Sequence, residues 1–273
     1  MSQPTLSEQI KKLEELLDLK IFERNKKRVQ VTPQGLLLIT VGKNIIKEAK
    51  HFINVAKSKS KPLSGEFNLG AIATVGPYYF PYIIEPIKKK FPDLELILQE
   101  GKTDELLAKL DRGELDAVIA SRTLNEKNYR VYSLYKEPFW FAAPKQMLIK
   151  NKQGKISTND IDKEKLILLS DGNCLKDEVL NFCSMTHNQL SSKIQATSIE
   201  TLLCLVASTN GCTFVPQLAI KADKRLDRLL NYYSFSEKDA YREIALFSRE
   251  QYARPDDIRL LYHHMKGVLP HFS

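Results

Sequence analysis

From residue 66 to residue 268 short apolar runs alternate with helical periodicities, and this alternation limits the fold more than any other property of the chain. Strands are expected over 67–74, 94–99, 115–120 and 131–143, with helices over 78–91 and 103–112 between them. The pattern resumes with a strand over 166–169, a helix opening at Cys174, a strand over 195–197, a helix over 199–208 and a strand over 213–215. A strand over 241–247 and a helix over 255–268 close the chain. Such alternation implies α/β layers with largely parallel sheets. In open α/β sheets ligands sit outside the carboxyl ends of strands. Thr74, Thr103 and the turn Asp171-Gly172-Asn173-Cys174 all fall at strand-to-helix junctions, so they are expected to converge on one pocket.

Two of the four cysteines, Cys174 and Cys183, belong to that turn and the helix after it. Asp171, Gly172 and Asn173 suit a turn and a helix N-cap. Cys174 then falls in the first helical turn, where the macrodipole and unpaired N–H groups favour the reactive thiolate. Along a continuous helix the two cysteines would stand about 13 Å apart at 1.5 Å per residue, whereas a disulfide needs Cα atoms within roughly 4.4–6.8 Å. A bond between them would require the helix to unwind. Spacing alone leaves two readings open, a redox pair and two buried thiols that only fill space. Cys204 and Cys212 read as buried packing residues, and His187, His263, His264 and His271 show no spacing with the cysteines that suggests a tetrahedral metal site.

The first quarter of the chain differs from the rest. Residues 1–65 hold 13 basic and 6 acidic side chains, so nearly all of the formal +8 lies there. A basic segment ahead of a neutral body points to a polyanion, nucleic acid first. Residues 2–17 carry Leu6, Ile10, Leu13, Leu16 and Leu17 at helical spacing, with Gln3, Thr5, Glu8, Gln9, Lys11 and Lys12 on the other face. Gln, Thr and Lys suit groove-edge and phosphate contacts, and a solvated surface face fits the same pattern. Residues 21–32 read as a hairpin or wing whose tip, Arg24, Lys26, Lys27 and Arg28, would meet phosphates. Residues 33–58 form a long helical pattern in which Leu38, Val41, Ile45, Ala49, Phe52 and Ala56 follow at steps of three or four. That seam suits a dimerising helix or a helix packed on its own domain. The Lys-, Ser-, Pro- and Gly-containing stretch 57–65 marks a boundary.

A chain of 273 residues exceeds one small core, so two or three domains are expected. No apolar run is long enough to span a bilayer, and there is no secretory signal, so the chain is expected in the cytoplasm, away from membranes. Four cysteines in such a length are not a disulfide framework, and any bridge there would be transient.

The segments Gln3-Pro4-Thr5-Leu6-Ser7-Glu8-Gln9-Ile10, Phe22-Glu23-Arg24 and Thr32-Pro33-Gln34-Gly35 resemble the recognition helix and wing of LysR-type transcription regulators. Ala73-Thr74-Val75-Gly76-Pro77-Tyr78, Ala196-Thr197-Ser198-Ile199-Glu200-Thr201-Leu202 and, above all, Asp171-Gly172-Asn173-Cys174-Leu175 followed by Cys183 resemble that family's peroxide-sensing members. The resemblance covers essentially the whole chain. It implies an α/β protein with a partial winged helix-turn-helix (1–32), a linker helix and linker (33–65), and a two-subdomain regulatory domain like periplasmic binding proteins (66–273). Subdomain I would be 66–140 with 240–273, and subdomain II 141–239. It implies that Cys174 is oxidised by hydrogen peroxide and Cys183 resolves it to a disulfide, with Thr74, Thr103, Asn173 and Arg249 lining the peroxide pocket. DNA contacts fall to Gln3, Pro4, Thr5, Gln9, Lys12, Arg24, Lys26, Lys27 and Arg28. The implied partners are promoter DNA of antioxidant genes, a second or further copies of the chain in a homodimer or homotetramer, and a thiol reductant such as glutaredoxin or thioredoxin. No cofactor, metal or enzymatic turnover is implied.

Two departures accompany the resemblance. Asn173 stands where proteobacterial members carry a histidine, and asparagine cannot bear the charge that would help hold a thiolate. The family also places two supporting helices before the recognition helix, with which this sequence opens, so either the start is misassigned or the chain is a truncated product; DNA binding by a truncated chain is expected to be weak. Two other readings stand beside the peroxide sensor: a LysR-type regulator that senses a metabolite, with incidental cysteines, and a thiol peroxidase using Cys174.

Overall fold

The computed structural model describes residues 3–25, 28–57, 61–122, 128–149, 154–186, 194–222 and 225–268. Lys26, Lys27, His187 and His271 lie outside them, as do the side chains of Gln3, Arg24 and Arg28. The chain divides into two compact units, residues 1–57 and 58–273.

The first unit holds α1 (Gln3–Leu16), the hairpin β1 (Phe22–Asn25) and β2 (Arg28–Val31), and α2 (Pro33–Lys57). Two polar side chains set its geometry. Glu14 is buried and accepts from Ile21 N (2.7 Å) and Phe22 N (3.0 Å), which ties the start of the hairpin to α1 and holds the carboxyl below its usual range. Thr32 donates to Lys20 O (2.6 Å) and accepts from Gly35 N (2.8 Å), closing the entry to α2. A Cβ at Gly35 would lie 2.3 Å from Ile21 O, so only glycine fits there. Leu6, Leu13 and Leu16 of α1 and Leu17 just after it are exposed, as are Leu36, Leu37, Val41, Ile45, Ile46, Phe52 and Ile53 of α2. Pro4, Thr5, Gln9 and Lys12 are exposed on α1, where Lys12 pairs with Glu8 one turn away at 2.9 Å.

The second unit is built on an eight-stranded sheet. Its strands are β3 (Gly65–Ile72), β4 (Leu94–Gly101), β5 (Ala117–Ser121), β6 (Tyr129–Pro144), β7 (Lys155–Ile156), β10 (Thr213–Pro216), β11 (Leu230–Phe235) and β12 (Tyr241–Arg249). The order is β4-β3-β5-β12-β6-β11-β7, and β10 also pairs with β6. Parallel pairing holds for β3 with β4 and β5, as the βα alternation predicts. The expectation of largely parallel sheets fails beyond them, because β12 runs antiparallel to both β5 and β6. The 16-residue β6 is the reason: its first ten residues pair with β12, and its last six with β10 and β11, so one antiparallel strand runs through both ends of the sheet. A short parallel pair, β8 (Leu168–Leu169) and β9 (Gln195–Ala196), stands apart.

Around the sheet lie α3 (Gly76–Lys90), α4 (Thr103–Asp111), α5 (Cys174–Phe182), α6 (Ile199–Ser208), α7 (Gln217–Ala222) and α8 (Pro255–Gly267). Apolar side chains such as Phe67, Leu69, Ile83, Leu106, Ile119, Phe214 and Leu246 are fully removed from water and supply most of the driving force. On α6 the buried face is Ile199, Leu202, Leu203 and Val206. Cys204 therefore points outward and is exposed, contrary to the expectation that it packs inside; Cys212 is buried. No helix among the described residues is long and apolar enough to cross a membrane.

Candidate functional site

The turn before α5 is held from three directions. Gly172 takes φ +84, and the Lys102 chain packs over it, so that a Cβ would meet Lys102 Cδ at 3.2 Å. Lys102 Nζ donates to Asp171 O at 3.4 Å, and the buried Lys176 reaches Asp171 Oδ1 at 2.6 Å. Asn173 occupies the N-cap position but its side chain makes no cap bond. Its Nδ2 donates backward to Ser170 O at 3.0 Å, and Asn173 is buried although Asp171 and Gly172 before it are exposed.

Cys174 opens α5 and is buried. Thr103, the first residue of α4 and itself buried, hydrogen-bonds the sulfur, and the Arg242 guanidinium acts on it electrostatically. Arg242 is 3% exposed, and each of its three nitrogens has a hydrogen-bond partner. Its Nε and Nη2 donate to Glu137 Oε2 at 2.9 and 2.8 Å. Its Nη1 and Nη2 donate to Thr74 Oγ1 and Thr74 O at 2.9 and 2.8 Å. Glu137 uses its other oxygen to accept from Leu218 N at 3.0 Å, where α7 begins. One turn along the buried face of α5, Glu178 accepts a short hydrogen bond from Ser121 Oγ at the end of β5.

Placement at a helix N-terminus favours a thiolate, but here burial prevails. Desolvation, and next the negative charge of Glu178, push the Cys174 thiol up to about 12, against the lowering effects of Arg242 and the Thr103 hydrogen bond. The expected ready thiolate is thus a protonated thiol in this state. Burial likewise pushes Cys183 up to about 11, with Lys163 opposing. Cys183 caps the other end of α5, and its carbonyl lies 3.5 Å from Lys163 Nζ. Beside it Phe182 packs edge-on against Phe214 and Phe235. Both cysteines are free thiols, and the unbroken helix separates them.

The fold therefore gathers Cys174, Thr103 and, through Arg242, Thr74, with Asn173 one residue before the sulfur. Arg249 does not join them, a correction to the expected pocket. Its guanidinium donates to Leu110 O and, at 2.7 Å, to Leu115 O, serving as a clasp at the end of α4, and it stacks over Tyr252. The arginine beside the thiol is Arg242, which sequence reading missed together with Glu137, Glu178 and Ser121. Part of the signal was present: Arg242 shares the period-two face of Ile244 and Leu246, where a charge needs a partner; that the partner is Glu137, its direct cross-strand neighbour, follows only from the register.

Comparison with known proteins assigns the class. Residues 60–270 match the LysR substrate binding domain, and residues 1–36 match the bacterial regulatory helix-turn-helix proteins of the lysR family. The chain belongs to the LysR family of transcription regulators, which are not enzymes. Within the family it is OxyR-like. It is 35% identical to the DNA-binding transcriptional dual regulator OxyR of Escherichia coli K12, over 91% of this chain and 81% of that protein. It is 34% identical to a hydrogen peroxide-inducible genes activator of Pectobacterium carotovorum, over 100% of this chain and 91% of the relative. Among solved structures, a full-length OxyR variant from Pseudomonas aeruginosa superposes with a TM-score of 0.73 at 30% identity, covering 98% of this chain and 90% of that one. A peroxide-bound OxyR cysteine variant from Corynebacterium glutamicum gives 0.72 at 27% identity, covering 98% and 84%.

Proposed function

We propose that this chain is a hydrogen peroxide-responsive regulator of antioxidant genes that works in the cytoplasm through reversible formation of a Cys174–Cys183 disulfide. The observation that carries the reading is the placing of the two thiols at opposite ends of one short helix, the first of them against Thr103 and the Arg242–Thr74 pair. Sulfur attack breaks the peroxide O–O bond and gives a sulfenic acid at Cys174 and one water; attack by Cys183 then releases a second water. Because Cys183 stands nine positions after Cys174, at the far end of the helix, closing that bond unwinds α5, and the regulatory domain (66–273, in two subdomains) changes shape. A thiol reductant such as thioredoxin or glutaredoxin reverses the step. The remaining parts follow the family plan: α1 and the wing meet promoter DNA, and the apolar seam of α2 pairs with a second copy in a homodimer or homotetramer.

The test is intact mass after stoichiometric peroxide, with thiol alkylation and peptide mapping. A loss of two hydrogens mapped to Cys174 and Cys183, absent in Cys174→Ser, is expected. An unchanged wild-type mass, or oxidation that spares Cys174, would overturn the reading in favour of a metabolite-sensing regulator.

A further inference from the structure

A resting thiol held protonated cannot attack peroxide until its proton has somewhere to go, and the burial of Cys174 leaves few acceptors. Glu178 is the carboxylate at hand. It stands four residues after Cys174 on the same buried face of α5, a spacing that sets Cβ atoms about 6 Å apart. Its Oε1 is engaged by Ser121, while Oε2 is buried with no hydrogen-bond partner among the described residues. A buried carboxylate with one oxygen anchored and one idle is costly to hold for structure alone. We propose that Glu178 is the proton relay of the peroxide reaction, taking the Cys174 hydrogen as sulfur attacks and returning it to the hydroxide that leaves.

The step balances: thiol and peroxide become sulfenic acid and water, sulfur is oxidised by two electrons as the O–O bond is reduced, and Glu178 ends as it began. At the i, i+4 separation one water, or the peroxide's own hydroxyl, carries the proton between sulfur and Oε2. The surroundings suit both halves of the exchange. Desolvation is the largest cause that raises the Glu178 carboxyl above its usual range; Arg242 from β12 favours the carboxylate, whereas Glu137 from β6 and Asp177 on α5 disfavour it. Ser121 from β5 fixes the rotamer and favours the charged form.

This inference rests on the reading of Cys174 as the peroxide-oxidised thiol, and its test separates the two. The rate of Cys174 sulfenic acid formation is measured across the acidic to mildly alkaline range in the full chain and in Glu178→Gln, which is close in volume and keeps an acceptor for Ser121. The expected result is a fall of about 100-fold near neutrality, with loss of the acid limb that reports carboxylate ionisation. Ser121→Ala, with less risk to folding, should move that limb to higher pH, because it removes a bond that favours the carboxylate. If the wild-type thiol reacts and Glu178→Gln reacts within about threefold of it, on an unshifted profile, the relay is overturned and the sensor reading stands. If wild-type Cys174 does not react, both fall together. Should Glu178→Gln fail to fold, an unshifted Ser121→Ala limb overturns the relay by itself.

Discussion

The two ends of α5 are built from different physics. At the Cys174 end the thiol meets the Thr103 hydroxyl, the Arg242 guanidinium and the Glu178 carboxyl, and hydrogen bonds tie Arg242 to Glu137 and Thr74, Glu137 to α7, and Glu178 to the end of β5. At the Cys183 end the neighbours are aromatic rings, with Phe214 and Phe235 stacked at 4.8 Å between centroids, and one lysine on the carbonyl. The first environment is suited to moving protons and stabilising charge. The second offers mainly apolar contact, which is weakly directional and re-forms in more than one arrangement. A helix that reacts at one end and lets go at the other needs this asymmetry.

The largest effect tests the assignment of roles. Cys183→Ser should leave Cys174 able to form a sulfenic acid that a dimedone-type probe traps, with no loss of two hydrogens, whereas Cys174→Ser should show neither change. A bridge that still forms in Cys183→Ser would move the resolving role to Cys212 or Cys204 and break the comparison. Next is stability. Arg242→Met leaves Glu137 buried without its partner and should cost about 3–5 kcal/mol in urea unfolding. Adding Glu137→Leu should recover most of that loss, since the pair offsets its own desolvation. Phe182→Leu, at the apolar end, should cost about 1 kcal/mol. Equal losses from Arg242→Met and Phe182→Leu would show that the charged end is no more tightly specified than the aromatic one.

Much of the architecture was legible in sequence, because period and turn chemistry are local. The helix over 199–208 and the start of α5 at Cys174 coincide with the observed elements. What escaped depends on register. That Glu137 stands opposite Arg242 is decided by how β6 meets β12, and no local pattern states it. The choice of Arg249 over Arg242 was an error of the same kind: both lie on one strand, and only its pairing shows which reaches Thr74 and which the carbonyls of α4. Cys204 was avoidable, since the 199, 202, 203 and 206 spacing already leaves it outside the buried face. The strand β11 and helix α7 were missed because each is short and carries polar residues among its apolar ones.

A smaller effect separates the two thiols by pH. Both folded-state values are raised, to about 12 for Cys174 and about 11 for Cys183, so the folded chain keeps protons that the unfolded chain releases from about pH 9 upward. Their contribution is whole below that point and is lost as pH rises, at up to about 1.4 kcal/mol per pH unit for each thiol. Unfolding free energy measured under reducing conditions should therefore fall on the alkaline side, and Cys174→Ser should fall less steeply than the wild type. An identical slope would mean that the Cys174 thiol is not held back by burial.

The smallest effect lies at Asn173. Its side chain bonds Ser170 rather than the free N–H groups of α5, so Asn173→Ala gives up one turn contact and no cap. The expected cost is below about 1 kcal/mol. Ser198→Ala removes a bond that does cap α6, from Thr201 N at 3.2 Å, and should cost about 1 kcal/mol. Measured side by side in urea, Ser198→Ala should be the more damaging. If Asn173→Ala proves the worse, Asn173 supports the Cys174 end by more than its bond to Ser170, and the uncapped N–H groups of α5 become the place to look.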